Sequence, residues 1–141
     1  MWLNRPEGSF GREARAIANI LHAGAKLSLH PCDDIMIRLL KEAVRMSDSF
    51  DAQNVANSLW ALATLAAEDA DVINALSQAC VDRVKEMNPQ GAFNALWSIE
   101  TLKVSNDRVI TTLSQACVDR VREMNAHGVR RDISKAESLY N

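Results

Sequence analysis

The chain repeats itself with a period of 37 residues, and this repetition restricts its fold more than any other feature. The segment 71–87 reads DVINALSQACVDRVKEM and the segment 108–124 reads RVITTLSQACVDRVREM, so that 13 of 17 positions are identical. Upstream of them, ANSLW at 56–60 corresponds to FNALW at 93–97 at the same shift. Repetition at this period is typical of solenoids, in which small structural units stack on one another and share a continuous core.

Weaker copies flank the two clear ones. Residues 18–21 align with 56–59 at a shift of 38, and residues 34–50 then align at 37, which places a one-residue length change in the loop His30–Asp33. After Asn125, apolar residues again fall at the repeat positions. We therefore divide the chain into an irregular N-terminal segment 1–11, a degenerate repeat 12–50, repeats 51–87 and 88–124, and a capping half-repeat 125–141.

Each unit contains two helical patterns. Val55, Leu59 and Leu62 follow the spacing i, i+4, i+7 of a buried helix face. Asp51 and Asn88 occupy helix N-cap positions, and Pro89 follows at the first helical position. No segment alternates with a period of two for long enough to predict a strand. We predict an all-α solenoid of about three stacked two-helix repeats plus a terminal capping helix, with helices at about 12–27, 34–46, 52–65, 71–86, 89–102, 107–123 and 126–140.

The motif NVANSLWALATL at 54–65, the 37-residue period and the helix start NPQ at 88–90 resemble organellar helical-repeat proteins. These are the octotricopeptide and heptatricopeptide repeats, which are related to the helical regions of FAST-kinase and RAP-domain proteins. The resemblance covers about residues 12–125. It implies an α-solenoid, residence in a mitochondrion or plastid, and binding of single-stranded organellar RNA or ribosomal RNA. Members usually carry more repeats than the three recognised here, often followed by a RAP domain.

Small and polar residues recur along one side of the first helix of each unit, at the spacing i, i+3, i+7, i+10. One interpretation is a concave stripe that faces a ligand. The other is that the central asparagines bond the backbone of a neighbouring unit and hold the stack together. Trp60 and Trp97 likewise either pack between units, which we favour, or stack on bases. The predicted ligand-facing stripe consists of Asn19, Lys26, Asn54, Asn57, Thr64, Asn94, Ser98 and Thr101.

Charge is unevenly distributed. The net charge of the chain is −2, whereas a nucleic-acid-binding protein is expected to be basic. Residues 1–46 carry a net +2, residues 47–102 carry −6 and residues 103–141 carry +2, so the best-preserved units are the most acidic. This disfavours a continuous RNA groove. Two basic patches remain as RNA or partner sites, or as ordinary solvated surface: Arg5, Arg12, Arg15 and Lys26 at one end, and Arg120, Arg122, Arg130, Arg131 and Lys135 at the other.

Motifs for catalysis, metal binding and targeting are not recognised. Cys80 and Cys117 take equivalent places in adjacent units and are expected to be small buried residues, while Cys32 lies in a connector. No metal site, cofactor or catalytic residue is predicted, and the chain is not expected to be an enzyme. The segment 1–11 resembles neither a secretory signal nor a transit peptide. The apolar runs are far shorter than the ~20 residues of a membrane span.

Two functions therefore stay open. The first is a non-catalytic interaction module, an accessory or scaffold subunit that docks a protein partner within a larger organellar assembly. The second is a protein of organellar RNA metabolism that binds single-stranded or ribosomal RNA. The charge distribution and the small number of repeats favour the first, and the family resemblance favours the second. We favour the scaffold.

Overall fold

The computed structural model describes the backbone of residues 9–28, 30 and 33–140, and the side chains of residues 12–28, 30 and 33–127. Within these ranges the chain forms only helices and their connections, as predicted. The connections include two short 3₁₀ turns, Ser47–Ser49 and Val84–Glu86. The six α-helices are α1 (Ser9–Lys26), α2 (Asp34–Arg45), α3 (Ala52–Thr64), α4 (Ala70–Arg83), α5 (Pro89–Thr101) and α6 (Asp107–Tyr140).

The helices form two layers. The first helices of the units, α1, α3 and α5, lie side by side, and α2, α4 and α6 line up behind them. Leu21, Leu59 and Leu76 are fully buried between the layers, and Leu96 packs half-buried against the same core. Each fully buried leucine contributes about 1.5–3 kcal/mol of burial free energy. Leu21, Leu59 and Leu96 occupy equivalent positions in the three units and lie in or against one continuous core. The predicted solenoid-like architecture is therefore confirmed.

The predicted helix starts are confirmed at Asp51 and Asn88. The Oδ1 atom of Asp51 accepts a hydrogen bond from the backbone N–H of Asn54 at 2.7 Å, and Oδ1 of Asn88 accepts one from Gly91 at 2.7 Å. Asp69 caps α4 in the same way by accepting from the N–H of Val72 at 3.3 Å. These bonds satisfy N–H groups that have no partner within their own helix.

The first-layer helices end alike, in a residue with left-handed backbone. Ser28, Ala66 and Lys103 have φ values of 56°, 53° and 56°, and they are equivalent in the repeat. After α3 and α5 the chain closes with a hydrogen bond back to the last turn, for example from the N–H of Val104 to the carbonyl of Ile99 at 3.1 Å. This is the Schellman ending, which usually places glycine at the left-handed position.

The predicted alignment of the first repeat is wrong for α2. The N-cap positions are Asp33 in α2 and Asp69 in α4, and the buried leucines are Leu40 and Leu76, so the shift there is 36 rather than 37. The connection between α1 and α2 is therefore two residues longer than its counterpart, and α2 is followed by a one-residue deletion before Phe50. A length change at a helix end or in a connector costs little, because neither position alters the packed faces.

Two predicted boundaries also differ. α1 begins at Ser9, inside the segment 1–11 that we expected to be irregular. The predicted break between helices 107–123 and 126–140 is absent, because α6 continues to Tyr140. Asn125 is followed by Ala126, which keeps its N–H and favours helix, whereas Asn88 is followed by Pro89. That residues 125–141 cap the array stays a prediction.

Candidate interaction surfaces

The predicted stripe lies along the seam between adjacent first-layer helices. A polar groove of about 210 Å³ runs between the N-terminal halves of α3 and α5, and both Asn57 and Asn94 line it. Both asparagines are half-buried, and Oδ1 of Asn94 accepts a hydrogen bond from Nε2 of Gln90 at 3.1 Å. In this groove a ligand could contact two asparagine side chains of the stripe at once, Asn57 and Asn94.

The prediction that the whole stripe is open is wrong at two positions. Asn54 is only 6% exposed and Ser98 is fully buried, because these positions face the preceding first-layer helix. The hydroxyl of Ser98 donates to the carbonyl of Asn94 at 2.6 Å, and that of Thr101 to the carbonyl of Trp97 at 2.8 Å. Four members of the stripe are exposed but do not join into one surface: Asn19, Lys26, Thr64 and Thr101.

The two tryptophans have different environments although they are equivalent in sequence. Trp60 is half-buried against the core and stacks on the imidazole of His22, with ring centroids 4.8 Å apart. The expectation of packing between units is confirmed there. Trp97 is 47% exposed, so the same expectation is wrong for it. Burial, and secondarily the charge of Lys26, lowers the pKa of His22 below its usual 6.5.

A pair of arginines braces the units, a role for which the sequence analysis assigned no residue. Arg83 of α4 donates to the backbone carbonyls of Phe50 and Asp48, just after α2. Its equivalent Arg120 of α6 donates to the carbonyl of Met87 at 2.9 Å and to that of Lys85 at 3.0 Å. Each arginine thus satisfies carbonyls at the end of the preceding second-layer helix, where positive charge is favoured. The sequence does contain a signal for this role, because both copies of the repeat have arginine at the equivalent positions 83 and 120.

The predicted basic patch at the C-terminal end is therefore reduced. The Arg120 side chain is only 16% exposed and is engaged with the backbone, so it is wrongly placed in that patch. Arg122 is exposed, as predicted. The side chains of Arg130, Arg131 and Lys135 lie outside the described residues. At the other end Arg12, Arg15 and Lys26 are exposed, Arg5 lies outside the described residues, and the structure adds the exposed Arg38 and Lys41 of α2.

The N-terminal end of the array exposes a face that the inner units bury. We call this the N-terminal end face and define it by Ala16, Ile20, Ala23 and Lys41, all of which are exposed. Ile20 is 48% exposed, whereas its equivalent Ser58 is fully buried beside α1. Two neighbouring grooves have volumes of about 520 and 440 Å³. Ala16, Arg38 and Lys41 line the first, and Ile20, Ile35 and Leu39 line the second.

The C-terminal end also exposes large apolar side chains, which we call the C-terminal end face. It consists of Phe93, Trp97 and Met124, which are 36%, 47% and 52% exposed. Met124 is equivalent in the repeat to Met87, which is only 4% exposed. Both ends of the stack therefore present apolar surface of the kind that marks interaction sites.

The described residues contain no cluster of side chains suited to holding a metal ion. Among them, no helix is both long and apolar enough to cross a membrane. Cys80 and Cys117 are buried free thiols, as expected. Burial, and secondarily the neighbouring Cys117, raises the pKa of Cys80 to about 12, so this thiol is neutral and unreactive at physiological pH.

The fold defines a helical-repeat protein with a packed core and with large apolar side chains exposed at both ends of the described array. A family model described as RNA-editing substrate-binding complex 6 protein (RESC6) matches residues 10–107, which include α2 to α5 and all of α1 except Ser9. The chain belongs to this family. The match supports the coarser part of the resemblance, a helical organellar RNA-processing protein, and it does not identify octotricopeptide or heptatricopeptide repeats. No curated protein sequence matches the chain.

Proposed function

We propose that this chain is a non-catalytic scaffold subunit of an RNA-editing substrate-binding complex in the mitochondrion. The family description names such a complex, and it supports the mitochondrion over the plastid. In this proposal the chain holds a neighbouring protein subunit through its N-terminal end face. The family, whose members are structural subunits of the complex, also supports the absence of catalysis.

One observation carries the proposal: Ile20 is half exposed at a position where both inner units bury a small side chain. Its equivalents Ser58 and Ala95 are both fully buried between first-layer helices. About half of the isoleucine side chain is therefore available to a partner. The grooves on both sides of the face have room for apolar side chains of a docked helix.

The charges around the face specify the partner further. The first groove is lined by Arg38 and Lys41 together with Glu13 and Glu42, and the second is lined by Asp33 and Asp34. The docked segment is therefore an amphipathic helix whose apolar side contacts Ile20 and whose flanks carry both acidic and basic residues opposite these groups. Charge complementarity of this kind raises the association rate and selects the partner.

RNA is the second candidate, because the same cations could contact phosphates. The burial of Asn54 and Ser98 argues against RNA binding, because these two members of the predicted ligand-facing stripe are not accessible to bases. Base-specific reading of a single strand requires accessible amides or aromatic rings. The stripe keeps only the exposed Asn19 and the half-buried Asn57 and Asn94, and the accessible Trp97 lies at the opposite end of the array from the cations.

The test is to purify the tagged full chain with its complex and to compare two matched variants. Ile20→Ser installs the residue of the inner unit, and it is expected to lower recovery of the other complex subunits at least tenfold. Ile110→Ser, at a 37% exposed isoleucine of α6, is the control and is expected to leave recovery unchanged. Equal recovery of the complex with both variants would overturn the proposal.

RNA binding is measured in parallel by filter binding of the purified chain to single-stranded RNA at two salt concentrations. The scaffold proposal expects weak binding. Tight binding with a steep salt dependence that Arg38→Ser and Lys41→Ser abolish, together with full recovery of the complex by Ile20→Ser, establishes the RNA function instead.

A further inference from the structure

Two nearly identical segments of this chain adopt different structures. Residues 84–88 read VKEMN, and they form a 3₁₀ turn and a break before α5. Residues 121–125 read VREMN, and they lie inside the continuous helix α6. The helix propensity of the five residues themselves cannot choose between the two outcomes, because the two segments are almost the same. The choice depends on the surroundings.

The surroundings differ in two ways. Arg120 donates to the carbonyls of Lys85 and Met87, which holds the first segment in its broken form. In the part of the chain whose side chains are described, no arginine of another helix makes such bonds to the carbonyls of residues 121–124. In addition, Pro89 enforces a helix start after the first segment, whereas Ala126 permits either form. The junction at Met124 and Asn125 is therefore poised between a straight and a broken helix.

The straight form leaves apolar surface uncovered. Met124 is 52% exposed, whereas its equivalents Phe50 and Met87 are 1% and 4% exposed. Phe93 and Trp97 of α5 are also exposed. The equivalent of Phe93 is Ala56 of α3, which is buried on the side where Gly91 of α5 lies, whereas the equivalent of Trp97 is Trp60, which stacks on His22 of α1. In the part of the chain whose side chains are described, no further helix covers Phe93 as α5 covers Ala56, and none covers Met124.

Residues 126–140 carry the sequence pattern of a further first-layer helix. Asn125 and Gly128 repeat the spacing of Asn88 and Gly91, the pair that forms the N-cap bond of α5. α5 has apolar core residues at five positions, and at four of them the segment again has apolar residues, whereas the fifth, Ala95, corresponds to Asp132. The pairs in the same register are Ala92 and Val129, Leu96 and Ile133, Ile99 and Ala136, and Leu102 and Leu139.

We propose that residues 126–140 act as a strap that folds back onto the C-terminal end face as a fourth first-layer helix. The straight α6 is the open state of this strap. Closure breaks the helix at Met124, buries that side chain together with Phe93 and Trp97, and ends the array with a covered surface. Opening exposes the same face, which then accepts a helix of similar pattern. This inference stands independently of the proposed function, because it concerns the opposite end of the array.

The two states differ in one distance that can be measured directly. Thr101 and Ser138 are equivalent positions at the ends of α5 and the strap. In the open state about 30 residues of helix separate Ser138 from the start of α6, which corresponds to roughly 45 Å at 1.5 Å per residue. In the closed state the two positions lie on adjacent helices about 10 Å apart. Spin labels at both positions, in a chain whose three native cysteines are replaced by alanine, resolve these distances by pulsed electron resonance.

We expect a short-distance population in the purified full chain, with a share that does not change on tenfold dilution. Ala126→Pro, which copies the inner junction, is expected to convert almost all molecules to the short distance. Trp97→Glu is expected to shift the population to the long distance, because it places a charge on the face that closure buries. Ile37→Glu changes a 38% exposed isoleucine of α2 at the other end and is the matched control, with no shift expected.

Three results overturn the proposal. One is a single long distance that persists in Ala126→Pro. Another is an equal effect of Trp97→Glu and Ile37→Glu on the distance distribution. The third is a short distance that disappears on dilution, which would identify a second copy of the chain as the occupant. Circular dichroism of each variant establishes that the helical array is intact, so that loss of fold is not mistaken for opening.

Discussion

Replacing Arg120 by methionine tests whether the arginine braces hold the units together. The guanidinium of Arg120 donates to the carbonyl of Met87 at 2.9 Å, to that of Lys85 at 3.0 Å and to that of Val84 at 3.4 Å. Its side chain is 16% exposed, so water competes only weakly for these bonds. Arg120→Met keeps most of the aliphatic stem and removes all the donors.

The magnitude follows from the two short bonds. A hydrogen bond to a charged group contributes about 1.5–3 kcal/mol, and the carbonyls left behind regain part of this from water because they lie near the surface. We therefore expect Arg120→Met to lower the free energy of unfolding by about 2–3 kcal/mol. The salt bridge from Arg120 to Glu123 spans 3.4 Å, and Glu123 is 60% exposed, so it contributes less than about 0.5 kcal/mol.

Urea denaturation followed by circular dichroism measures this change. Arg120→Lys keeps the charge near the helix end but loses the planar fork, and it is expected to recover less than half of the loss. Arg122→Met removes an exposed arginine two residues away and is expected to change the free energy of unfolding by less than about 0.5 kcal/mol. A loss below about 1 kcal/mol in Arg120→Met, or full recovery by lysine, would refute the brace.

Two further stability changes follow from single residues. The pKa of His22 is lowered in the folded chain, so the unfolded chain binds the proton more readily and stability falls as the pH drops below 6.5. Urea titrations at pH 7.5 and pH 5 should show a larger loss for the wild type than for His22→Gln, and equal losses would contradict this. Lys103 has a φ of 56°, so Lys103→Gly is expected to stabilise the chain by about 0.5–1 kcal/mol. Lys103→Ala is the control, and an alanine variant as stable as the glycine variant would rule out relief of backbone strain.

Much of the fold could be predicted because its determinants are local. The period of the repeat, the spacing of Val55, Leu59 and Leu62, and the caps at Asp51 and Asn88 depend on residues within one or two helical turns. These features specify helices and the face that each helix buries. The layered stack then follows, because a single two-helix unit cannot cover its own apolar side.

The sites could be predicted only in part, because exposure depends on neighbours that a repeated sequence does not distinguish. Trp60 and Trp97 occupy equivalent positions in the repeat. Trp60 stacks on His22, whereas Trp97 is 47% exposed. The contacts of the two arginines could not be predicted from the sequence either, because the acceptors of Arg120 are backbone carbonyls more than thirty residues away.

The sequence by itself therefore determined that the chain is a stack of two-helix units, and which side of each helix is apolar. Only the tertiary structure decided which of two equivalent side chains is covered and which is exposed. Met87 and Met124 lie in nearly identical segments, yet one is buried under the next helix and the other is open. The physical reason is that local sequence sets backbone preference, whereas burial is set by the helix that lies alongside, and among the residues whose side chains are described no helix covers Met124.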